Sequence, residues 1–148
     1  MKKPDTTLED AFMKIIDETV SLFEQDKQYV LNYLHRRNVQ NKVLDSIFTN
    51  YAFGLLSDAI FKVKSENYAI THFLSKSNID GYDIVSVNDN LGLSNTSIVA
   101  FALVMGDDVL CYDTHDKKVF IWLIQTEDGK KIMIEDSLSD FLNRIIQK

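Results

Sequence analysis

The sequence predicts an α+β fold, with N-terminal helices packed on a C-terminal antiparallel sheet of about five strands and followed by a C-terminal helix. Three observations carry this expectation. Apolar residues recur at helical spacing through the first half of the chain. From Gly81 onward the pattern changes to alternation and short apolar runs bounded by turn-forming residues. The helical and extended segments are grouped rather than interleaved, so no βαβ unit, and hence no parallel sheet, is indicated.

The first helix starts after Pro4, Asp5 and Thr6 and carries Leu8, Phe12, Ile15, Ile16, Thr19, Val20 and Phe23 on one stripe. Glu9 stands three residues after Thr6 and Asp10 three after Thr7, the spacing of a capping box. No glycine or proline interrupts it, so it is carried through Val30 and Leu31 to about Leu34. A second helix is expected from Val39 to Val63, with Val43, Ile47, Tyr51, Leu55, Ala59 and their neighbours repeating every four residues as the spine of the fold. Gly54 falls on its opposite face. A third, short helix is expected over Asn67 to Ser75, ending at the turn formers Asn78, Asp80 and Gly81.

Five strands follow: Tyr82 to Val87, Ser97 to Met105, Val109 to Asp113, Val119 to Ile124 and Lys131 to Ile134. The short connections at Asp107-Asp108, at THDKK and at EDGK suit an antiparallel meander, and Asp128-Gly129 is the clearest hairpin signal among them. Asp136 or Ser137 then caps a last helix whose Leu138, Phe141, Leu142, Ile145 and Ile146 form one apolar face, with Ser137 and Asp140 at capping-box spacing.

At 148 residues, with 45% hydrophobic content, one proline and five glycines, the chain is expected to form a single domain spanning residues 1–148, without linker, repeat or low-complexity tail. The N-terminus lacks the apolar run of a signal peptide, and no uncharged stretch approaches the roughly 20 residues that span a bilayer, so a cytoplasmic location is expected. The lone Cys111 excludes an internal disulfide and fits a reducing compartment; its position in VLCYD reads as a buried, inert thiol on one face of a strand. The formal charge of −6 lies wholly in the second half: Met1 to Asn78 carries ten acids and ten bases, Ile79 to Lys148 twelve acids and six bases. An acidic half disfavours direct nucleic-acid binding and favours a basic protein partner or plain solubility.

Candidate chemistry is sparse. Asp107, Asp108, Asp113, His115 and Asp116 are the densest polar group, and a small metal-dependent hydrolase would use such a set. Their spacing, however, matches solvated hairpin turns and no metal-ligand motif, so neither a metal nor any other cofactor is expected. His35, His72 and His115 have no motif partner, and no nucleophile elbow or phosphate-cradling loop is present. The His35-Arg36-Arg37 cluster, with Lys42, suits a helix C-terminus better than a nucleic-acid patch. Tyr112, Phe120 and Trp122 on neighbouring strands are either core residues or interface anchors. The expectation is therefore a binding protein rather than an enzyme.

Gly106, Asp107, Cys111, Tyr112, Asp113, Trp122, Asp136, Ser137, Phe141 and Leu142 follow a pattern of Gly-Asp strand, Tyr-Asp hairpin, Trp strand and Asp-Ser-led helix. Upstream, Phe73, Leu74, Asn78 and Gly81 fit an FLxxxNG segment. About half the chain in this way resembles the SUKH superfamily, which includes bacterial toxin-immunity proteins and fungal cell-wall synthesis regulators. The resemblance implies a curved antiparallel sheet backed by helices and a role in binding and neutralising a cognate toxin, often a nuclease; a regulatory or scaffold module with another protein partner is the alternative. On that basis Asp107, Asp108, Tyr112, Asp113, Asp116 and Trp122 are the expected partner-binding residues, with acidic groups steering a basic toxin domain and aromatic groups holding it.

Overall fold

The computed structural model describes residues 16–18, 24–45, 55–56, 60–77, 81, 83–106, 108–124, 128–134 and 137–146. In chain order they form β1 (Ile16–Glu18), α1 (Glu24–Arg36), β2 (Leu55–Leu56), β3 (Ile60–Val63), β4 (Glu66–Phe73), α2 (Ile84–Asn90), β5 (Ile98–Val104), β6 (Asp108–Asp113), β7 (Lys118–Trp122), β8 (Lys131–Ile134) and α3 (Leu138–Ile146). The fold is α+β. Strands β3 to β8 make one six-stranded sheet in sequence order, while β1 and β2 pair separately. All neighbouring strands run antiparallel.

The second half follows the sequence closely, with β5 to β8 and α3 in their expected places. The first half departs from expectation. Residues 16–18, expected in the first helix, are a strand paired with Leu55–Leu56, while Glu24–Arg36 is helical; the rest of that expected helix, residues 5–15 and 19–23, lies outside the described residues. The long second helix is absent over its described residues except for a helical turn at 42–45; Leu55–Leu56 and Ile60–Val63 are strands. The third helix is strand β4. One ambiguity accounts for much of this: residues four apart share a face in a strand as well as in a helix, so an i, i+4, i+8 pattern does not separate the two. The Val, Ile, Tyr and Phe content of these stretches then favours the pleated form. Gly54, Asn78, Asp80 and Tyr82 lie outside the described residues.

The segment expected as a strand from Tyr82 is instead α2. Asp83 is its N-cap, accepting hydrogen bonds from Ser86 N at 3.0 Å and Ser86 Oγ at 3.1 Å, while its other carboxylate oxygen accepts from Ser77 N at 2.9 Å. Gly92, at φ +73°, follows the C-cap Leu91 in the left-handed conformation usual after a helix end. Seven residues are too few to display a helical period, so only these caps mark the helix.

Two bulges bend the sheet. Ala100 pairs with Cys111 and Ala102 with Leu110, leaving Phe101 as the extra residue of β5; Thr71 is the extra residue of β4 between Ile70 and His72. On the sheet face carrying Phe61, α3 closes the core, with Phe141 edge-on to Phe61 at 5.0 Å and 87°. Phe73, Phe101, Phe141, Leu34, Leu110 and Ile121 are fully buried. Truncating one of these rings to alanine costs about 3–5 kcal/mol.

Polar side chains stitch the helices to the sheet. β4 ends at Phe73, short of the far end of β5, and the buried Asn88 continues the ladder in its place. Its carbonyl accepts from Ala100 N at 2.8 Å and its amide donates to Ala100 O at 3.0 Å and to Ile84 O at 2.7 Å. Helix α1 ends in a Schellman motif, with Val39 N bonded to Leu34 O at 2.8 Å, Asn38 N bonded to His35 O at 3.0 Å, and Asn38 at φ +65°. Just before it, Arg37 donates to the carbonyls of Leu93, Thr96 and Ile98 at 2.8, 3.2 and 2.8 Å and to the Tyr33 hydroxyl. This arginine clamps the end of α1 to the entry of β5.

Candidate functional site: the two ends of the β6–β7 hairpin

The β6–β7 register divides the expected binding residues by face and by end. Tyr112 pairs with Val119, whereas Val109 pairs with Trp122 and Cys111 with Phe120. Paired residues share a face and neighbours alternate, so Tyr112 and Trp122 point to opposite sides of the sheet. The ladder from Val109–Trp122 to Asp113–Lys118 spans four residue steps, about 14 Å. Asp108 and Trp122 therefore occupy the open end of the hairpin, and Tyr112, Asp113 and Asp116 its tip. Asp107 lies outside the described residues.

At the tip, Asp113 organises the turn. Its Oδ1 accepts from Ser97 Oγ at 2.8 Å and from His115 N at 2.9 Å, and its backbone carbonyl accepts from Lys117 N at 2.7 Å. Partial burial alone would push the Asp113 carboxyl up, but the hydrogen bonds from Ser97, His115 and Asp116 and the charge of His115 outweigh it and hold the group below the ordinary carboxylate value. Asp116 is exposed. Lys117 completes the turn at φ +59°, a left-handed conformation that disfavours most side chains, lysine among them.

On its own face, Tyr112 opens onto a cleft of about 360 Å³ lined by Asn38, Gln40, Asn41, Tyr112, Lys117 and Leu138. Burial, with the Asp113 charge beside it, pushes the Tyr112 hydroxyl up and keeps it protonated. The far wall is fixed by Asn41, whose Oδ1 caps the 42–45 turn through Leu44 N at 3.0 Å and whose amide donates to Ser139 Oγ at 2.8 Å. Ser137 Oγ caps α3 by accepting from Asp140 N at 3.1 Å. Nothing in the sequence pattern linked residues 38–41 to the hairpin, because their neighbourhood arises only from the docking of α1 and α3; the one local sign was an asparagine just past a helix end.

At the open end, Trp122 is half-buried and Lys131 Nζ lies over its ring at 5.9 Å and over Phe120 at 5.2 Å. Gly129, at φ +55°, passes so close that a β-carbon there would stand 3.2 Å from Trp122 Nε1. Phe120 itself is buried core. Asp108 is half-buried, and its Oδ1 has no hydrogen-bond partner among the described residues.

The other sequence candidates resolve into structural roles. Cys111 is fully buried, and burial pushes its thiol up to about 12, the Lys131 charge offsetting this only in part. His72 is buried and its imidazole is held below its ordinary value by that burial, while Nδ1 meets Thr71 Oγ1 at 3.2 Å. His35 pairs with Asp45 at 3.1 Å. Within the basic cluster, Arg36 and Arg37 both stack on Tyr33. Among the described residues no three His, Cys, Asp or Glu side chains converge as metal ligands, and no helix is long and apolar enough to cross a membrane.

No curated protein matches the chain. A family model, SUKH_6, described as SMI1-KNR4 cell-wall, matches residues 42–142, from the helical turn that begins the cleft wall through the whole six-stranded sheet and into α3. The SUKH family includes toxin-immunity proteins and SMI1/KNR4-like regulators, and its members interact with protein partners. With more than half its length matched, on the sheet and terminal helix described above, the chain belongs to the SUKH family.

Proposed function

We propose that this chain is a non-enzymatic, cytoplasmic immunity protein that binds a cognate toxin, such as a nuclease, through the tip of the β6–β7 hairpin. The observation that carries the reading is the family match over residues 42–142. Supporting it, the tip combines an exposed acid, Asp116, with a half-buried aromatic, Tyr112, beside an open cleft. An exposed acidic group steers a basic partner and raises the association rate, and an aromatic group gives it a desolvated anchor. Asp108 and Trp122 form the competing surface at the other end of the hairpin.

A second reading is favoured by the matched description itself, SMI1-KNR4 cell-wall: a regulatory or scaffold module that binds a protein other than a toxin. Affinity capture from the native host with the full chain, followed by identification of the bound protein, separates the two. The immunity reading expects a captured protein that arrests growth when expressed alone and is harmless when this chain is co-expressed. A captured protein that is harmless on its own overturns immunity in favour of the regulatory reading.

A further inference from the structure

The cleft beside Tyr112 differs in one respect from the polar clusters that hold the described elements together. Arg37, Asp83, Asn88 and Asp113 each make several hydrogen bonds within the chain. The Asn38 and Gln40 amides and the Lys117 ammonium, all three exposed, and the half-buried Tyr112 hydroxyl make no hydrogen bond or ion pair among the described residues, and all four line one cavity of about 360 Å³. Three of the four present N–H or N⁺–H donors and the fourth an O–H. Among the described lining residues the one ionised side chain is a cation, Lys117; the acid adjoining it in sequence, Asp116, is exposed like it, and Asp113 is held by Ser97 and the turn.

Backbone geometry points the same way. The described residues contain three non-glycine positions at positive φ, and two of them, Asn38 and Lys117, are in this lining. Asparagine tolerates that conformation, but lysine does so at a cost that glycine would avoid, and such positions concentrate at binding sites. The nine-residue helix α3 also begins at the cleft, with Leu138 in the lining; the positive end of its dipole favours negative charge there, and its own first turn already carries Asp140.

We propose that this cleft binds a carboxylate presented by a protein partner, with Lys117 as the charge partner and Tyr112, Asn38 and Gln40 as hydrogen-bond donors. The inference rests on the reading of the chain as a protein-binding module and adds the chemistry of one anchor. The carboxylate comes from an Asp or Glu side chain or from a chain terminus. An acidic anchor entering a cationic cleft, next to acids that steer a basic surface, fixes the docking register through contacts of both signs.

The test needs no partner, so it fails separately from the capture experiment. The full ¹⁵N-labelled chain is titrated with N-acetyl-glutamate α-amide, N-acetylglycine and the neutral N-acetyl-glutamine amide, and amide shifts are followed by NMR. The proposal expects shifts at residues 38–41, 112 and 117 with one or both carboxylate probes at millimolar concentration and none with the neutral probe. The tighter-binding carboxylate assigns the source as side chain or terminus. Lys117→Met should weaken binding at least fivefold and Tyr112→Phe at least twofold, while Lys131→Met leaves it unchanged. Equal shifts from the neutral probe, undiminished binding by Lys117→Met, or no shifts at these residues would overturn it.

Discussion

The corner where α1 and α2 meet β5 and the cleft beside the β6–β7 tip are both rich in polar side chains, yet they use them in opposite ways. In the corner, Asn88 satisfies the Ala100 backbone groups left open where β4 ends, and Arg37 satisfies carbonyls of the segment that leads into β5. In the cleft, four polar ends line a cavity and have no hydrogen-bond partner among the described residues. A polar residue in the first setting holds the fold, because removing it strands buried backbone donors and acceptors. One in the second can change with little effect on folding and is available to a partner. Charge or motif does not separate these cases; partner geometry does.

The largest expected effect sits in the corner. Asn88→Ala leaves the Ala100 N–H and C=O buried without partners and should cost about 2–4 kcal/mol in denaturant unfolding. A loss below about 1 kcal/mol would mean that water or a shifted β4 replaces the side chain. Arg37→Lys comes next, because a single ammonium cannot reproduce a planar fork reaching three carbonyls and a hydroxyl; about 1–3 kcal/mol is expected, read as a lower melting temperature at unchanged charge.

In the cleft the sign reverses. Lys117→Gly relieves a left-handed lysine and should raise stability by about 0.5–1 kcal/mol while weakening partner binding, a combination that no corner variant can give. Tyr112→Phe should leave stability within about 0.5 kcal/mol, since its hydroxyl has no hydrogen-bond partner among the described residues. The smallest effect belongs to Cys111. With its thiol pushed up to about 12 by burial, it should resist iodoacetamide at pH 8.5 in the folded chain and react fully after unfolding. Rapid labelling of folded protein would show that the centre of β6 opens readily.

These two regions also show what was legible in the sequence. β5 to β8 and α3 could be read because alternation, a Ser137 cap and a clean apolar helix face each point to one structure. β3 and β4 could not, because spacing by four suits helix and strand alike, the Lys64-Ser65 turn that pairs Ile60 with Ala69 carries no glycine or asparagine, and the pairing of His72 with Leu103 appears only when distant strands meet. For the site, the hairpin and its Tyr112, Asp113 and Asp116 were legible from local turn chemistry. That Tyr112 and Trp122 face opposite sides was implicit in their register, but a register is fixed only once turn length is known. Asn38, Gln40 and Asn41 were out of reach, being roughly 70 residues from the hairpin they join.

The central claim is that partner binding belongs to the tip of the hairpin and not to its open end. The most direct measurement is the affinity and association rate of the captured partner for the parent chain and for Tyr112→Ala, Asp116→Lys and Trp122→Ala. The account predicts at least a tenfold loss of affinity for Tyr112→Ala, slower association for Asp116→Lys at low salt, and a change within about twofold for Trp122→Ala. Unchanged binding by the two tip variants, with loss on Trp122→Ala, would contradict it and move the interface to the open end.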